Sequence, residues 1–211
     1  MMTDKLTNAT RGRPPRNPKE TDESKKNIVN AAKKLFATEG YAGVSMRKIA
    51  VLAECSPAFL YKLFPSKRHL LLNLWEEIFA QLFVEMMECY QSVDAGERIR
   101  TLCLAYVDFW LAHPDDYRSI FLIEDRPQHD DEDYFVDSSL VLQQFDLFKV
   151  ILVQAQQDGE IGPGDPDVIQ NILFCAVQGL IFNLITIPEY AWGDKDVIKQ
   201  TLIRSVLCGL R

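Results

Sequence analysis

The sequence predicts an all-α protein with a small N-terminal helix-turn-helix head and a larger helical body. Three observations lead there. Apolar residues recur at helical spacing from residue 22 onwards, no segment sustains the alternation of a strand, and the charge is divided along the chain. Residues 1–68 carry 14 Lys+Arg against 6 Asp+Glu, whereas residues 69–211 carry 9 against 24, and the net charge is −7. A basic head can neutralise phosphates while an acidic body repels a duplex and helps fix which end docks. With 211 residues, 47% of them hydrophobic, the chain can bury a sizeable core.

Residues 1–20 lack periodicity and hold three prolines, which reads as a basic arm. A first helix follows from Asp22 to Glu39 on Ile28, Ala31, Ala32, Leu35 and Phe36, with Thr21 or Asp22 as its cap and Gly40 as its stop. Ser45 caps a second helix that buries Met46, Ile49, Ala50 and Ala53. Ser56 caps a third with Pro57 at its first position, where the missing N–H costs nothing. Pro65 ends the third helix and Ser66 caps the next, residues 67–91, which repeats Leu71, Leu74, Trp75, Ile78, Leu82, Met86 and Tyr90 down one face. Further helices are expected at residues 95–112, 114–123, 135–157, 166–187 and 195–210, separated by proline, glycine and acidic punctuation. The domains read as an arm (1–20), a helix-turn-helix (21–66) and a body (67–211).

Two short helices around a tight turn, packed on a longer first helix, can place the second of them in the major groove of DNA. Its inner face is supplied by Leu60, Leu63 and Phe64, leaving Ala58 and Phe59 to touch a thymine methyl and Tyr61 and Lys62 to reach phosphate or a base edge. Ser45 and Lys67 stand at helix starts, where backbone N–H groups and the dipole favour an anion.

Ser45, Ile49, Ala50, Ala53, Ser56, Leu60, Tyr61, Phe64, Ser66, Lys67 and Leu70 together resemble the TetR family of bacterial transcriptional regulators. The motif covers about a quarter of the chain. Beyond it the likeness is one of layout, with His113-Pro114 leading into Tyr117–Phe121. The resemblance implies phosphate contacts at Ser45, Tyr61 and Lys67 and base or mixed contacts at Arg47, Pro57, Ala58, Phe59 and Lys62, with Ser56 counted among them. Two positions depart from the pattern. Glu54 stands where the family has glycine, so the turn must accept a side chain, and Leu63 replaces His or Tyr.

Arg11-Gly12-Arg13-Pro14 is slim enough for the minor groove, whose narrow A·T-rich floor attracts arginine; the other reading is an ordinary basic tail. In the body, Phe79, Phe83, Met86, Met87, Tyr90, Tyr106, Trp110, Phe121, Phe145, Phe148, Phe174 and Phe182 supply either plain core or the wall of an apolar pocket. Gln178, Asn183 and Gln144 are polar points within those runs, where a buried amide needs a partner. The ligand of such a pocket would be a hydrophobic or aromatic small molecule. Ile169, Leu173, Val177, Leu180 and Leu184, followed by Ile198, Leu202 and Ser205, give a helix-packing surface. By resemblance it would form a four-helix interface of a homodimer, whose reading helices would sit about 34–36 Å apart, or a multiple of that, on a two-fold operator.

The five cysteines, without CxxC spacing, read as reduced residues of a cytoplasmic protein. The longest apolar window, residues 172–187, is interrupted by Gln178, Gly179, Asn183 and Thr186, and is read as a buried helix and no membrane span. The three histidines lack ligand spacing and no nucleotide or nucleophile motif is present, so neither an enzyme nor a cofactor is expected. The acidic run 124–133 with His129 lacks the ligand order of a calcium loop and is read as solvated, with no metal. The expectation is a dimeric double-stranded-DNA-binding regulator, a repressor released by a hydrophobic effector. The alternative is an architectural or partner-recruiting DNA-binding protein without a ligand.

Overall fold

The computed structural model describes residues 18–122 and 139–211, with side chains for 21–122 and 146–211. The expectations for Arg11, Arg13 and the acidic run with His129, and for the side chains of Gln144 and Phe145, lie outside the described residues. Those residues form helices and turns with no strand.

Helix α1 (Pro18–Gly43) starts a few residues before the expected cap, and Pro18 at its first turn lacks only an N–H that would have no helical partner. Gly40, at φ 72 and ψ 158, breaks the helical path where the sequence placed its end. The helix buries Ile28, Ala32 and Phe36 and packs on the first of the two short helices that follow, α2 (Met46–Leu52) and α3 (Pro57–Leu63). Both start as expected: Ser45 Oγ accepts from Lys48 N at 3.3 Å, and Ser56 Oγ from Phe59 N at 3.2 Å. Such caps contribute about 1 kcal/mol each. Met46, Ile49, Ala50, Leu60 and Phe64 close the small core of the head.

Helix α4 (Lys67–Gln91), capped by Ser66, is 25 residues long and therefore spans about 37 Å. Its first turns bury Leu70 and Leu71 and its middle buries Phe79 and Leu82, so one rigid element runs from the head into the body. A short 3₁₀ turn (Ala95–Glu97) leads into α5 (Arg98–Ala112), the central helix, which packs on α4, α7, α8 and α9. No local side chain caps α5. The carboxylate of the buried Glu160 does so from the connection after α7 (Ser139–Gln157), its Oε1 accepting from Ile99 N at 2.7 Å and Arg100 N at 3.3 Å.

Helix α6 (Pro114–Phe121) is short and lies between α1 and α5. The bundle is completed by α8 (Pro166–Thr186) and α9 (Lys195–Gly209). Gly162 N donates to Leu210 O at 2.6 Å, and a Cβ on Gly162 would lie 2.8 Å from that oxygen, so only glycine lets the α7–α8 connection close on the end of α9.

Helix α8 is long and apolar enough to cross a membrane by length and composition. Here it packs on α5, α7 and α9, burying Ile169, Leu173, Val177, Leu180, Ile181, Leu184 and Ile185. Gln178 is tied at both ends to tyrosines within that packing.

Candidate nucleic-acid interface and body cavity

The exposed side of the head gathers Ser45, Arg47, Ser56, Pro57, Ala58, Tyr61 and Lys62, all of them exposed. With their Oγ atoms occupied as acceptors by the caps, Ser45 and Ser56 still have hydroxyl protons to donate. The turn between α2 and α3 is closed by Ala53 N to Ile49 O at 2.9 Å and Cys55 N to Ala50 O at 3.0 Å. Glu54 occupies its tip at φ 51, the left-handed region that favours glycine.

Two expected contact residues sit differently from their neighbours. Phe59 is half-buried against the core, because α3 is only two turns long and rests on its Leu60 side. Lys67 turns its ammonium inward, donating to Tyr41 O at 2.6 Å and Val44 O at 3.0 Å and lying 4.1 Å from the centre of the Tyr41 ring. It thereby clamps the start of α4 to the end of α1. What Lys67 presents to an anion is chiefly its backbone N–H at the helix start.

In the body, α4, α5, α7 and α8, with Phe121 of α6, line a partly open cavity of about 130 Å³. Of the aromatic and methionine residues singled out in the sequence, Phe79, Phe83, Met86, Met87, Tyr106, Phe121, Phe148 and Phe174 line it. The remaining wall is Leu82, Leu102, Cys103, Ile151, Gln170, Leu173 and Val177. No charged side chain is among these. Burial pushes the Cys103 thiol up to about 12, with the charge of Glu160 adding to it, and burial likewise raises the Tyr106 phenol. Among the described residues the wall is therefore neutral at physiological pH.

Four residues expected around a ligand stand elsewhere. Trp110 is fully buried and makes edge contacts with Phe79, Phe109, Tyr117 and Phe121 at centroid distances of 5.2–5.9 Å, a packing hub behind the wall. Tyr90 lies under the Arg98 guanidinium at 4.8 Å, and Phe182 is exposed. Gln178 bridges two tyrosines, donating to Tyr106 Oη at 2.8 Å and accepting from Tyr117 Oη at 2.7 Å.

The residues expected at a dimer surface also divide. Ile169, Leu173, Val177, Leu180 and Leu184 are buried within the chain itself, Leu173 and Val177 in the cavity wall. Ile198 and Leu202 are half-buried and Ser205 is exposed. The outward stripe of α8 is instead Val168, Ile172, Cys175, Gly179 and Phe182, beside the exposed Val197, Thr201, Ser205 and Cys208 of α9. Leu102, Cys103 and Gln170 were missed although each lies one helical turn from a residue that was found, Tyr106 or Phe174; that spacing was the available signal.

Head and cavity are joined through α6. Lys33 of α1 pairs with Asp116 at 2.8 Å, Trp75 of α4 donates to Ser119 O at 3.1 Å, and Phe121 reaches the cavity wall.

Residues 28–74, which contain α2, α3 and the start of α4, match the family described as "Bacterial regulatory proteins, tetR family". The HTH-type transcriptional repressor NicS of Pseudomonas putida is 29% identical over 97 residues, a region that spans 46% of each chain, so the likeness covers about half of that relative's length. A bacterial regulatory protein in the tetR family from Rhodococcus RHA1 superposes with a TM-score of 0.67 at 20% identity, over 89% of this chain and 97% of the other. The regulator FadR from Bacillus subtilis, solved in complex with stearoyl-CoA, superposes with a TM-score of 0.71 at 19% identity, over 88% and 99%. The last two share the fold. The chain thus carries, over its helix-turn-helix, the segment that marks the tetR family of bacterial regulatory proteins, with an all-helical body behind it.

Proposed function

We propose that the protein is a homodimeric repressor whose head reads a two-fold operator and whose body releases it on binding a hydrophobic small molecule. The observation that carries this reading is a neutral apolar cavity walled in part by α4, the same helix whose first turn is clamped into the head by Lys67. A ligand that favours a wider cavity displaces α4 and, through Phe121, α6. Both helices are fastened to α1, so the head moves with them. The ligand achieves this only by binding the released state more tightly than the DNA-bound one.

In this reading Arg47, Pro57 and Ala58 face bases, Lys62 spans a base edge and a phosphate, Phe59 adds a partly buried apolar edge, and Ser45, Ser56, Tyr61 and the start of α4 at Lys67 hold phosphates. Arg11 and Arg13 add a minor-groove arm. The body, residues 67–211, carries both effector and dimer functions. The partner surface is the outward stripe of α8 with α9, centred on Ile172, Cys175, Phe182 and Ser205, since the inward residues are already covered. Repression is supported by the name of the Pseudomonas relative, and an apolar effector by the uncharged cavity wall and by the stearoyl chain of the ligand in the structurally similar Bacillus protein. The cavity also weighs against an architectural protein without a ligand, which would have a solid core.

The test is fluorescence anisotropy on an operator selected from random DNA, with neutral aromatic compounds and stearoyl-CoA added in turn. A compound that raises the melting midpoint of the protein should weaken operator binding. Binding unchanged by every compound that stabilises the protein would remove the release mechanism.

A further inference from the structure

Four consecutive residues tie α6 to other parts of the chain. Asp116 pairs with Lys33 of α1 at 2.8 Å, and Tyr117 Oη donates to Gln178 Oε1 of α8 at 2.7 Å. Arg118 Nη2 donates to Ile185 O of α8 at 2.9 Å, and Ser119 O accepts from Trp75 Nε1 of α4 at 3.1 Å. A helix of eight residues has little stability of its own, so these ties, with its apolar packing, decide where it sits. The tie through Tyr117 continues into the cavity wall by a second side-chain hydrogen bond. Gln178 Nε2 donates to Tyr106 Oη at 2.8 Å, and Tyr106 is a wall residue. Gln178 also follows Val177 and lies one turn after Phe174, both in the wall, and the Phe174 ring stands 6.3 Å from that of Tyr106.

Resting on the reading of this cavity as the effector site, we propose that Tyr106, Gln178 and Tyr117 form a relay in which Gln178 is the positioning residue that makes α6 follow the cavity wall. Apolar contacts weaken gradually as two groups slide, whereas a hydrogen bond is lost when it lengthens by about 0.5–1 Å. A molecule that displaces the Tyr106 ring therefore either draws Gln178 and Tyr117 with it or breaks a hydrogen bond of the relay. Tyr117 is buried, so its lost partner is not replaced by bulk water and the first outcome costs less. Asp116, next to Tyr117 and itself buried, passes the movement to α1 through Lys33. Burial raises both phenols, Tyr117 to about 12, so the relay keeps its neutral hydrogen-bonding form at physiological pH. The release path thus has a directional polar component beside the apolar contact of Phe121.

Hydrogen exchange on the full chain, read by mass spectrometry, tests the relay. Tyr106→Phe and Tyr117→Phe each keep a ring and delete one hydroxyl. Tyr106→Phe alters no residue of α6, yet the amides of residues 118–122 should exchange about three- to tenfold faster in it, the effect of one hydrogen bond. The double variant should exchange no faster than Tyr117→Phe alone, because both deletions cut the same chain of bonds, and α9 should be unchanged in all three. Unchanged α6 exchange in Tyr106→Phe, or additive effects in the double variant, would overturn the proposal. Benzene, which apolar cavities of about 150 Å³ take up, is the ligand probe. Saturating benzene should alter exchange in both α4 and α6 of wild-type protein. In Tyr117→Phe the α6 response should shrink about threefold or more while that of α4 persists, a split that a purely structural role of Tyr117 would not produce. An equal α6 response in the two proteins would overturn the relay. No response anywhere in wild-type protein would count against the cavity as an effector site, and the hydroxyl deletions would then decide the relay by themselves.

Discussion

Glu54 is the residue at which the head departs most visibly from what its backbone asks for. Its φ of 51 is a conformation that costs a side-chain-bearing residue about 1–2 kcal/mol, partly offset in any exchange by the greater freedom of glycine in the unfolded chain. Glu54→Gly should therefore stabilise the protein by roughly 0.5–1 kcal/mol in urea unfolding and, by removing an exposed carboxylate between α2 and α3, tighten operator binding. Weaker binding would show that the carboxylate has a role in docking. On the reading face, Lys62→Ala with Tyr61→Phe should lower operator affinity and flatten its salt dependence by about 0.9 for each phosphate no longer neutralised. An unchanged slope would displace Lys62 from the phosphate backbone. Caps, turn and exposed polar side chains were legible here because each depends on neighbours within four residues. The inward turn of Lys67 was not, because its acceptors, Tyr41 and Val44, lie 26 and 23 residues away.

At the scale of an element, α5 shows how far local reasoning reaches. Its apolar face was readable from helical spacing, but its cap comes from Glu160, some sixty residues on. Glu160→Ala should leave Ile99 N and Arg100 N without their acceptor and cost about 1–3 kcal/mol in denaturant unfolding. Burial, outweighing the backbone N–H groups that lower it, raises the pKa of Glu160 above its ordinary 4.5. The folded state thus holds this proton more tightly than the unfolded chain. The stability linked to it is full below about pH 4.5 and declines as pH rises through the raised value. Glu160→Gln keeps an acceptor and should abolish that decline, as urea melts across pH 4–8 would show; an unaltered pH dependence would assign it to another group. Helix α8 marks the opposite limit. It is apolar on nearly every side, so periodicity could identify a helix but could not say which stripe faces the cavity and which faces a partner. Leu173 and Val177 were accordingly expected at the surface, and the chain places them in the cavity wall.

At the scale of the molecule, a basic head and an acidic body are joined by α4 and braced by α6. The Lys33–Asp116 pair is a direct ionic link between α1 and α6. Lys33→Ala should leave operator affinity without ligand nearly unchanged while reducing the ligand-induced loss of affinity several-fold, in line with coupling changes of about 0.5–2 kcal/mol. A full ligand response in that variant would place the coupling in α4 alone. The outward stripe of α8 gives a matching prediction for assembly: Ile172→Glu with Phe182→Glu should yield monomers by analytical ultracentrifugation, with the secondary structure intact by circular dichroism. A dimer that survives both changes would put the interface elsewhere. The layout of head and body was legible because charge and helical period are summed over many residues. The cavity was legible only in part, since membership of its wall depends on how four helices are rotated against one another.

The central claim, that a symmetric dimer reads DNA through α2 and α3, is tested most directly by selecting bound sequences from a random duplex pool. The account predicts an inverted repeat whose half-site centres lie one helical turn, about 34–36 Å, or a multiple of that apart. Enrichment of a single asymmetric site, or none above the unselected pool, would contradict it.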